Sequence, residues 1–302
     1  MQIHIPVLKE EVIKLFKDLD NGYYLDATLG YAGHASAILE NNNKLNLFAC
    51  DQDDEAINYS KEKLKKFNKD IQIFKTNYEN VFNFIQDTSN IRGVLADIGV
   101  SSLQLDKDDR GFSFESSELD MRMNKDNSLD AKEVLNTYSK DKLSKIFQEY
   151  AELPEKLSND IALNIIKNRP INSCKNLSQI IGNAKLNNRN VSLKTLVFQA
   201  IRIEVNNELG VLKNFLEQVK NLKDCLVCII TFHSLEDKIV KDTFKKWASN
   251  CICDEFAIRC ECGNNHSLGK IITKKPIEPS KEEIKLNSRS SCAKLRAFYL
   301  SK

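Results

Sequence analysis

Short apolar runs and amphipathic stretches alternate along the first hundred residues. Tyr23-Tyr24-Leu25-Asp26-Ala27 reads as a short buried strand, and Gly33 to Leu39 as the helix that follows it. Leu45 to Cys50 is a second strand, and Asp53 to Phe67 a charged amphipathic helix. Ile71 to Phe74, Val81 to Ile85 and Gly93 to Ala96 continue the series as strand, helix and strand. Strand and helix repeating at this spacing imply a parallel sheet with right-handed crossovers. The expected fold is α/β, a doubly wound Rossmann-like sheet whose ligands sit beyond the carboxyl ends of its strands.

The pattern changes after the fourth strand. Ser101 to Asn124 is a long polar loop, and Leu129 to about Leu196 has helical periodicity without a strand candidate. Leu143, Ile146 and Phe147, then Ile161 and Ile165, carry that spacing. Cys225 to Thr231 is again a continuous apolar strand, Glu236 to Trp247 a helix, and Ala297 to Leu300 a last strand. The α/β domain is therefore expected in two parts, residues 1–105 and 201–302. Residues 106–200 form an inserted all-α domain between them.

Composition narrows the class. With 302 residues the chain has room for two ordinary domains, or for one large domain carrying an insertion. Its 44 basic and 42 acidic residues leave a net charge of +2, which excludes a polybasic nucleic-acid coat but not a local basic surface. A 42% apolar content with five prolines excludes a disordered chain. The longest apolar run, Cys225 to Phe232, falls far short of the roughly 20 residues of a membrane helix. Met1-Gln2-Ile3-His4-Ile5-Pro6 leads into Lys9-Glu10-Glu11 without the apolar core of a signal peptide, so a soluble cytoplasmic protein with no membrane partner is expected. From Lys270 onward there are nine basic and three acidic residues, which read as a solvated tail or as an edge that contacts phosphates.

Nine cysteines, an odd number, argue against a disulfide framework. Cys50, Cys174, Cys225, Cys228 and Cys292 read as plain core or surface thiols. The other four form two C-x-C pairs, Cys251-Ile252-Cys253 and Cys260-Glu261-Cys262, and suit a tetrahedral thiolate cage for a structural zinc. His266 is an alternative fourth ligand, and reduced loop cysteines are the plainer reading.

The turn after the first strand, Asp26-Ala27-Thr28-Leu29-Gly30-Tyr31-Ala32-Gly33-His34, places glycines where a backbone approaches a ligand at a helix N-terminus. A dinucleotide fingerprint needs G-x-G-x-x-G, and Thr28 stands where its first glycine belongs. Strand two ends in Asp51, an acid able to accept both hydroxyls of a ribose, with helix capping as its alternative role. Tyr78, beyond strand three, flanks an adenine or packs in the core. Strand four ends in Asp97-Ile98-Gly99-Val100-Ser101-Ser102, followed by Gln104. Acids ending strands one, two and four beside a single glycine turn suit S-adenosylmethionine better than NAD.

Ala96-Asp97-Ile98-Gly99-Val100-Ser101-Ser102-Leu103-Gln104-Leu105, continuing through Arg110-Gly111-Phe112-Ser113-Phe114 to Leu119-Asp120-Met121-Arg122-Met123, closely resembles the signature of the RsmH (MraW) family. Phe198-Gln199-Ala200-Ile201-Arg202-Ile203-Glu204-Val205-Asn206, Thr231-Phe232-His233-Ser234-Leu235-Glu236-Asp237 and Pro276-Ile277-Glu278-Pro279-Ser280 extend the resemblance over essentially the whole chain. It implies a class I methyltransferase sheet with an inserted helical domain. The implied activity is S-adenosyl-L-methionine-dependent methylation of a cytosine N4 amine, at position 1402, in 16S rRNA of the small ribosomal subunit. The implied cofactor contacts are Ala32, Gly33, His34, Asp51, Tyr78, Asp97 and Gln104. The chain departs from the family pattern at Ala32, where glycine is usual, and at Ser288 and Ser291, where proline and a second arginine are frequent.

The reaction needs an amine held in line with a sulfonium methyl and an acceptor for its N–H, but no covalent enzyme intermediate. Asp97, His233 and Ser234 are the catalytic candidates. For His233 the alternative is a structural histidine tied to Glu236 or Asp237. Phe112 and Phe114 either stack on an extruded base or anchor their loop. Competing readings are a methyltransferase of this fold acting on another RNA or on DNA, a zinc-bearing RNA-binding factor without activity, and an NAD-dependent oxidoreductase.

Overall fold

The computed structural model describes residues 5–100, 107–184, 191–254 and 259–301. The chain runs α1 (Lys9–Phe16), β1 (Gly22–Asp26), α2 (Gly33–Asn41), β2 (Leu45–Asp51), α3 (Asp54–Leu64), β3 (Ile71–Lys75) and β4 (Ile91–Asp97). Five helices follow: α4 (Ala131–Thr137), α5 (Lys140–Tyr150), α6 (Glu155–Lys167), α7 (Cys174–Ile181) and α8 (Leu193–Asn206). The remainder is α9 (Glu208–Val219), β5 (Cys225–Thr231), α10 (Ser234–Ala248), β6 (Gly269–Ile271), α11 (Lys281–Leu286) and β7 (Lys294–Leu300). Residues 1–99 and 211–302 form one compact unit, and residues 100–210 a second.

In the first unit seven strands lie in the order β3-β2-β1-β4-β5-β7-β6. β1 to β5 are parallel, and β7 runs antiparallel between β5 and β6. Alternate residues of each strand face opposite ways, so Tyr24, Leu47, Leu95 and Leu226 pack with Phe16, Ile38 and Leu64 of α1, α2 and α3. Their neighbours Leu25, Phe48, Val94 and Val227 pack with Phe215 and Leu216 of α9 and Val240 and Phe244 of α10. Both faces are covered, which is why β5 is buried at every position and reads as an unbroken apolar run. The sheet is thus doubly wound, and its strand order reverses between β1 and β4. In such sheets that reversal opens the crevice where ligands bind.

The regular elements of the second unit, among its described residues, are all helical, and residues 111–130 are irregular. Phe147, Ile165, Leu177, Phe198 and Ile201 are buried in its core. Asp130, Ser139, Ser173 and Ser192 cap α4, α5, α7 and α8 through side-chain oxygens. Two of the sequence words that carry the family resemblance are bonded to each other here: Asn206 donates to the Met121 carbonyl at 2.8 Å and accepts from the Met123 N–H at 2.8 Å. The buried Arg110 guanidinium donates to the Met123 carbonyl at 2.9 Å. Gly111 has φ +69°, and a Cβ there would stand 2.6 Å from the Asp120 nitrogen. Phe112 is buried in the core, and Phe114 meets Phe198 edge-on at 4.7 Å. Both rings anchor their loop.

Several expectations change. Val81 to Ile85 is not an α-helix; a 3₁₀ turn, Tyr78–Asn83, begins earlier because the Asn77 side chain accepts from the Glu79 N–H. The segment from Lys270 is no tail, since it supplies part of β6, α11 and the buried strand β7. The compact helical unit spans residues 100–210, wider than 106–200, because α8 runs unbroken across residue 200. Among the described residues no helix is long and apolar enough to cross a membrane.

Candidate active site at the carboxyl edge of the sheet

The turn after β1 is held by both neighbouring strands. Ala27 N–H donates to the Leu95 carbonyl at 2.8 Å and Leu29 N–H to the Cys50 carbonyl at 3.0 Å. The Asp97 N–H donates to Thr28 Oγ1 at 2.7 Å, and Ser60 Oγ donates to the Gly30 carbonyl at 2.7 Å. Gly30 and Ala32 both take left-handed backbone, with φ of +50° and +52°. Ala32 therefore adopts, at a strain of roughly 1–2 kcal/mol, a conformation that glycine takes freely. Gly33 opens α2 and admits no side chain, since a Cβ would lie 2.5 Å from Pro6 Cγ.

Three carboxylates converge around this turn. Asp51, at the end of β2, accepts from the Gly30 N–H at 2.8 Å through Oδ2 and from the Asp53 N–H at 2.9 Å through Oδ1. Each oxygen keeps a second lone pair for a further donor. Burial pushes the Asp51 carboxyl above its ordinary range, and those two N–H groups draw it part of the way back. The capping role belongs to Asp53, whose side chain accepts from the Glu55 N–H at the start of α3.

Asp26 and Asp97 end the two strands on either side of the reversal. Asp26 is 2% exposed, its Oδ1 accepts from the Thr28 N–H at 3.2 Å, and its Oδ2 has no hydrogen-bond partner among the described residues. Burial pushes its pKa up to about 7, with Asp97 and Asp51 adding to the shift, while His34 and the Thr28 N–H oppose it. Asp97 Oδ1 is likewise buried and unpaired among the described residues. Its Oδ2 stands 3.6 Å from Nε2 of the buried His34, whose two ring nitrogens make no hydrogen bond to a described residue. Four buried polar atoms without partners in one place are what a site looks like before a ligand supplies the missing bonds. Three acids against one histidine suit a cationic or hydroxyl-bearing ligand and oppose a pyrophosphate.

The remaining candidates fall as follows. Tyr78 is half-buried and meets Phe215 edge-on at 5.2 Å, with the rest of its ring in the 3₁₀ turn beyond β3. Ser101, Ser102 and Gln104 lie outside the described residues. Asp97 is in register with Ile230 of β5, which brings His233 and Ser234 to the same sheet edge. His233 is engaged as the cap of α10: its Nδ1 accepts from the Glu236 N–H at 3.4 Å, and Glu236 Oε2 accepts from the Phe232 and His233 N–H groups. Its Nε2 approaches Glu236 Oε1 to 3.0 Å, off the hydrogen-bonding direction. The cap accounts for the ring's position without a proton-transfer role. Ser234 is the first residue of α10. The cysteine quartet, Cys251, Cys253, Cys260 and Cys262, is brought together elsewhere, between α10 and β6. His266 is not part of that group; its Nε2 lies 2.7 Å from the Cys262 carbonyl oxygen.

The sequence pattern of the MraW methylase family matches residues 1–300. The chain belongs to this family. A Campylobacter lari protein named ribosomal RNA small subunit methyltransferase H is 59% identical over 300 residues, covering 98% of each chain. A Campylobacter jejuni protein of the same name is 55% identical over 302 residues, covering 99% of this chain and 97% of its own. Among solved structures, M. capricolum TrmK in complex with S-adenosyl-homocysteine covers 99% of this chain and 70% of its own at 12% identity. Its TM-score of 0.40 is too low to carry an argument. The chain is thus a methyltransferase of this family, and its doubly wound sheet is interrupted in sequence by the helical unit of residues 100–210.

Two site residues were given no role of their own by the sequence. Asp26 entered only among the acids that end strands, and Thr28 only as a missing glycine. The usable signal was a carboxylate in the middle of an apolar strand end, which burial makes costly unless something uses it.

Proposed function

We propose that this chain transfers a methyl group from S-adenosyl-L-methionine to the N4 amine of a cytidine in 16S rRNA, the position numbered 1402. The observation that supports it best is the set of unpaired buried polar atoms on Asp26, Asp97 and His34 beside the left-handed turn at Gly30. The relatives' names point to small-subunit ribosomal RNA as the substrate class.

The residues present fit such a cofactor. Asp51, with its spare lone pairs, would hold the ribose hydroxyls, and the backbone of Ala32, Gly33 and His34 would approach its methionine end. Tyr78 and Gln104 would complete the binding set. The cofactor supplies an electrophilic methyl group on a cationic sulfur. The N4 lone pair of cytosine is delocalised into its ring, so the chain's task is to orient the amine and stabilise charge as it develops. Asp97 Oδ1, buried and unpaired among the described residues, would accept a hydrogen bond from the amine and, as N4 gains a methyl group, accept the proton that N4 loses, which then passes to solvent. His34 would steady the other oxygen of Asp97. His233, held by Glu236, positions the start of α10, and Ser234 remains a base-contact candidate. The helical unit of residues 100–210 would choose the RNA, and the base must leave any stack to reach the sheet edge.

The test is to incubate the protein with labelled S-adenosylmethionine and either assembled small subunits, naked ribosomal RNA or DNA, and then digest to nucleosides. N4-methylated cytidine from 16S rRNA is the expected product. Label in another nucleoside, or in DNA, overturns the assignment. Asp51→Ala should weaken cofactor binding by about 1–3 kcal/mol, the scale of stranding buried polar partners. Unchanged affinity by calorimetry in the folded variant would remove Asp51 from the site.

A further inference from the structure

We infer that Cys251, Cys253, Cys260 and Cys262 form a four-thiolate zinc cage, separate from the strand-end site. Sγ of Cys251 lies 3.6 Å from that of Cys260 and 3.8 Å from that of Cys262, and Cys260 and Cys262 are 3.5 Å apart. All four sulfur atoms lie within 4.8 Å of one another. Zinc bound by thiolates at ~2.3 Å in a tetrahedron places its ligand sulfurs about 3.8 Å apart. The quartet already has the dimensions of that coordination shell.

The surroundings give the same answer. The Ile252 N–H points at Cys262 Sγ at 3.5 Å, and the Glu261 N–H at Cys253 Sγ at 3.3 Å. Each pair thus offers a backbone donor to a sulfur of the other, the outer-shell support that ligating groups need. No apolar core explains the convergence. Among the described residues from Ser249 to Leu268 none is buried, and Ile252 is 61% exposed. The base of the excursion is pinned by the Leu268 N–H donating to the Trp247 carbonyl at 2.8 Å. A segment that buries so little must be held by something other than hydrophobic packing, and a metal crosslink is the general solution for small folds of this kind. His266 is excluded as a ligand because it is spent on closing the loop: its N–H donates to the Asn250 carbonyl at 3.0 Å while its ring meets the Cys262 carbonyl. The cage is structural, since four protein ligands leave no open position for a substrate.

The experiment uses the full-length chain without an affinity tag, purified under reducing conditions with no added metal. Elemental analysis should find about one zinc per chain, released by a thiol-blocking mercurial. Replacing it with cobalt should give the strong thiolate-to-metal and visible bands of a tetrahedral four-sulfur site. Cys253→Ser should lower bound zinc at least about tenfold, the scale on which even an outer-shell change weakens a metal site. Cys292→Ser, outside the cluster, should keep zinc in full. If Cys253→Ser fails to fold, the metal content and cobalt spectrum of the unaltered protein still decide. Zinc at background with no cobalt bands overturns the cage, as do iron in its place or a Cys251–Cys260 disulfide in peptide maps. Because metal content is read without methyl transfer, the outcome is independent of the proposed function.

Discussion

Asp26 carries a cost that the fold does not require. Its folded pKa of about 7 lies above the ordinary 3.8, so between pH 4 and pH 7 the folded chain keeps a proton that the unfolded chain releases. Stability from this group is therefore full below about pH 4 and is lost as the pH rises towards 7. Asp26→Asn should flatten that part of the pH profile in the cofactor-free protein and raise stability at pH 8 on the order of 2–4 kcal/mol. Denaturant melts of both proteins from pH 4 to pH 8 measure it; parallel profiles would show that Asp26 is not protonated in the folded state. Asp97 separates binding from chemistry. Asp97→Asn keeps its shape but removes the charge, so single-turnover methylation should fall ~100-fold or more while RNA affinity, dominated by phosphate contacts, changes little. A lower melting temperature with an intact rate would reduce Asp97 to a loop anchor. Asp51 and Asp97 were legible in the sequence because an acid ending an apolar strand is conspicuous. The pairing of Asp97 with His34, and the isolation of Asp26, arise only when β1 and β4 lie side by side, which no local pattern records.

At the scale of elements, α10 shows how a motif can serve architecture. The sequence pattern starts this helix at Glu236, yet it begins at Ser234 because His233 and Glu236 form a reciprocal capping box. Histidine is an unusual cap, and apolar periodicity does not reveal it. One turn in, Asp237 takes a bidentate pair of hydrogen bonds from Arg296 of β7, at 2.6 and 3.0 Å, with both side chains buried. This pair ties the helix to the one antiparallel strand that completes the sheet beside β5. Asp237→Ala leaves the arginine buried and uncompensated, so it should cost about 3–5 kcal/mol. Asp237→Leu combined with Arg296→Met should cost much less, since both charges are then gone. Equal losses in the single and double variants, by denaturant titration, would place the stabilisation in packing instead of charge. The sequence pattern starts this strand at Ala297, so Lys294 and Arg296 read as tail charges, whereas only the sheet shows that Arg296 points inward.

The whole molecule is one sheet written in two pieces, with β4 and β5 adjacent in space although more than a hundred residues apart in sequence. The change from mixed to purely helical periodicity disclosed that interruption. Its limits were less legible, because α8 and α9 carry the same helical spacing on both sides of the division at residue 210. Every described strand-end acid of the candidate site belongs to the unit of residues 1–99 and 211–302, while Phe112, Phe114 and the Met121–Asn206 bonds belong to the helical unit. Each unit has its own buried core, so each can hold its own structure. Replacing residues 106–210 by a short flexible linker, which keeps Gln104, should therefore leave the sheet folded and cofactor affinity within about tenfold of the parent, a loss of no more than ~1.4 kcal/mol. Methylation of 16S rRNA should disappear, because the surface proposed to select the RNA is gone. Calorimetric titration with S-adenosylmethionine and a nucleoside digest of treated RNA read the two outcomes separately. A truncated protein that binds the cofactor and still methylates the same cytidine would place substrate choice on the sheet edge itself. One that folds but no longer binds the cofactor would mean that residues 106–210 supply part of its site.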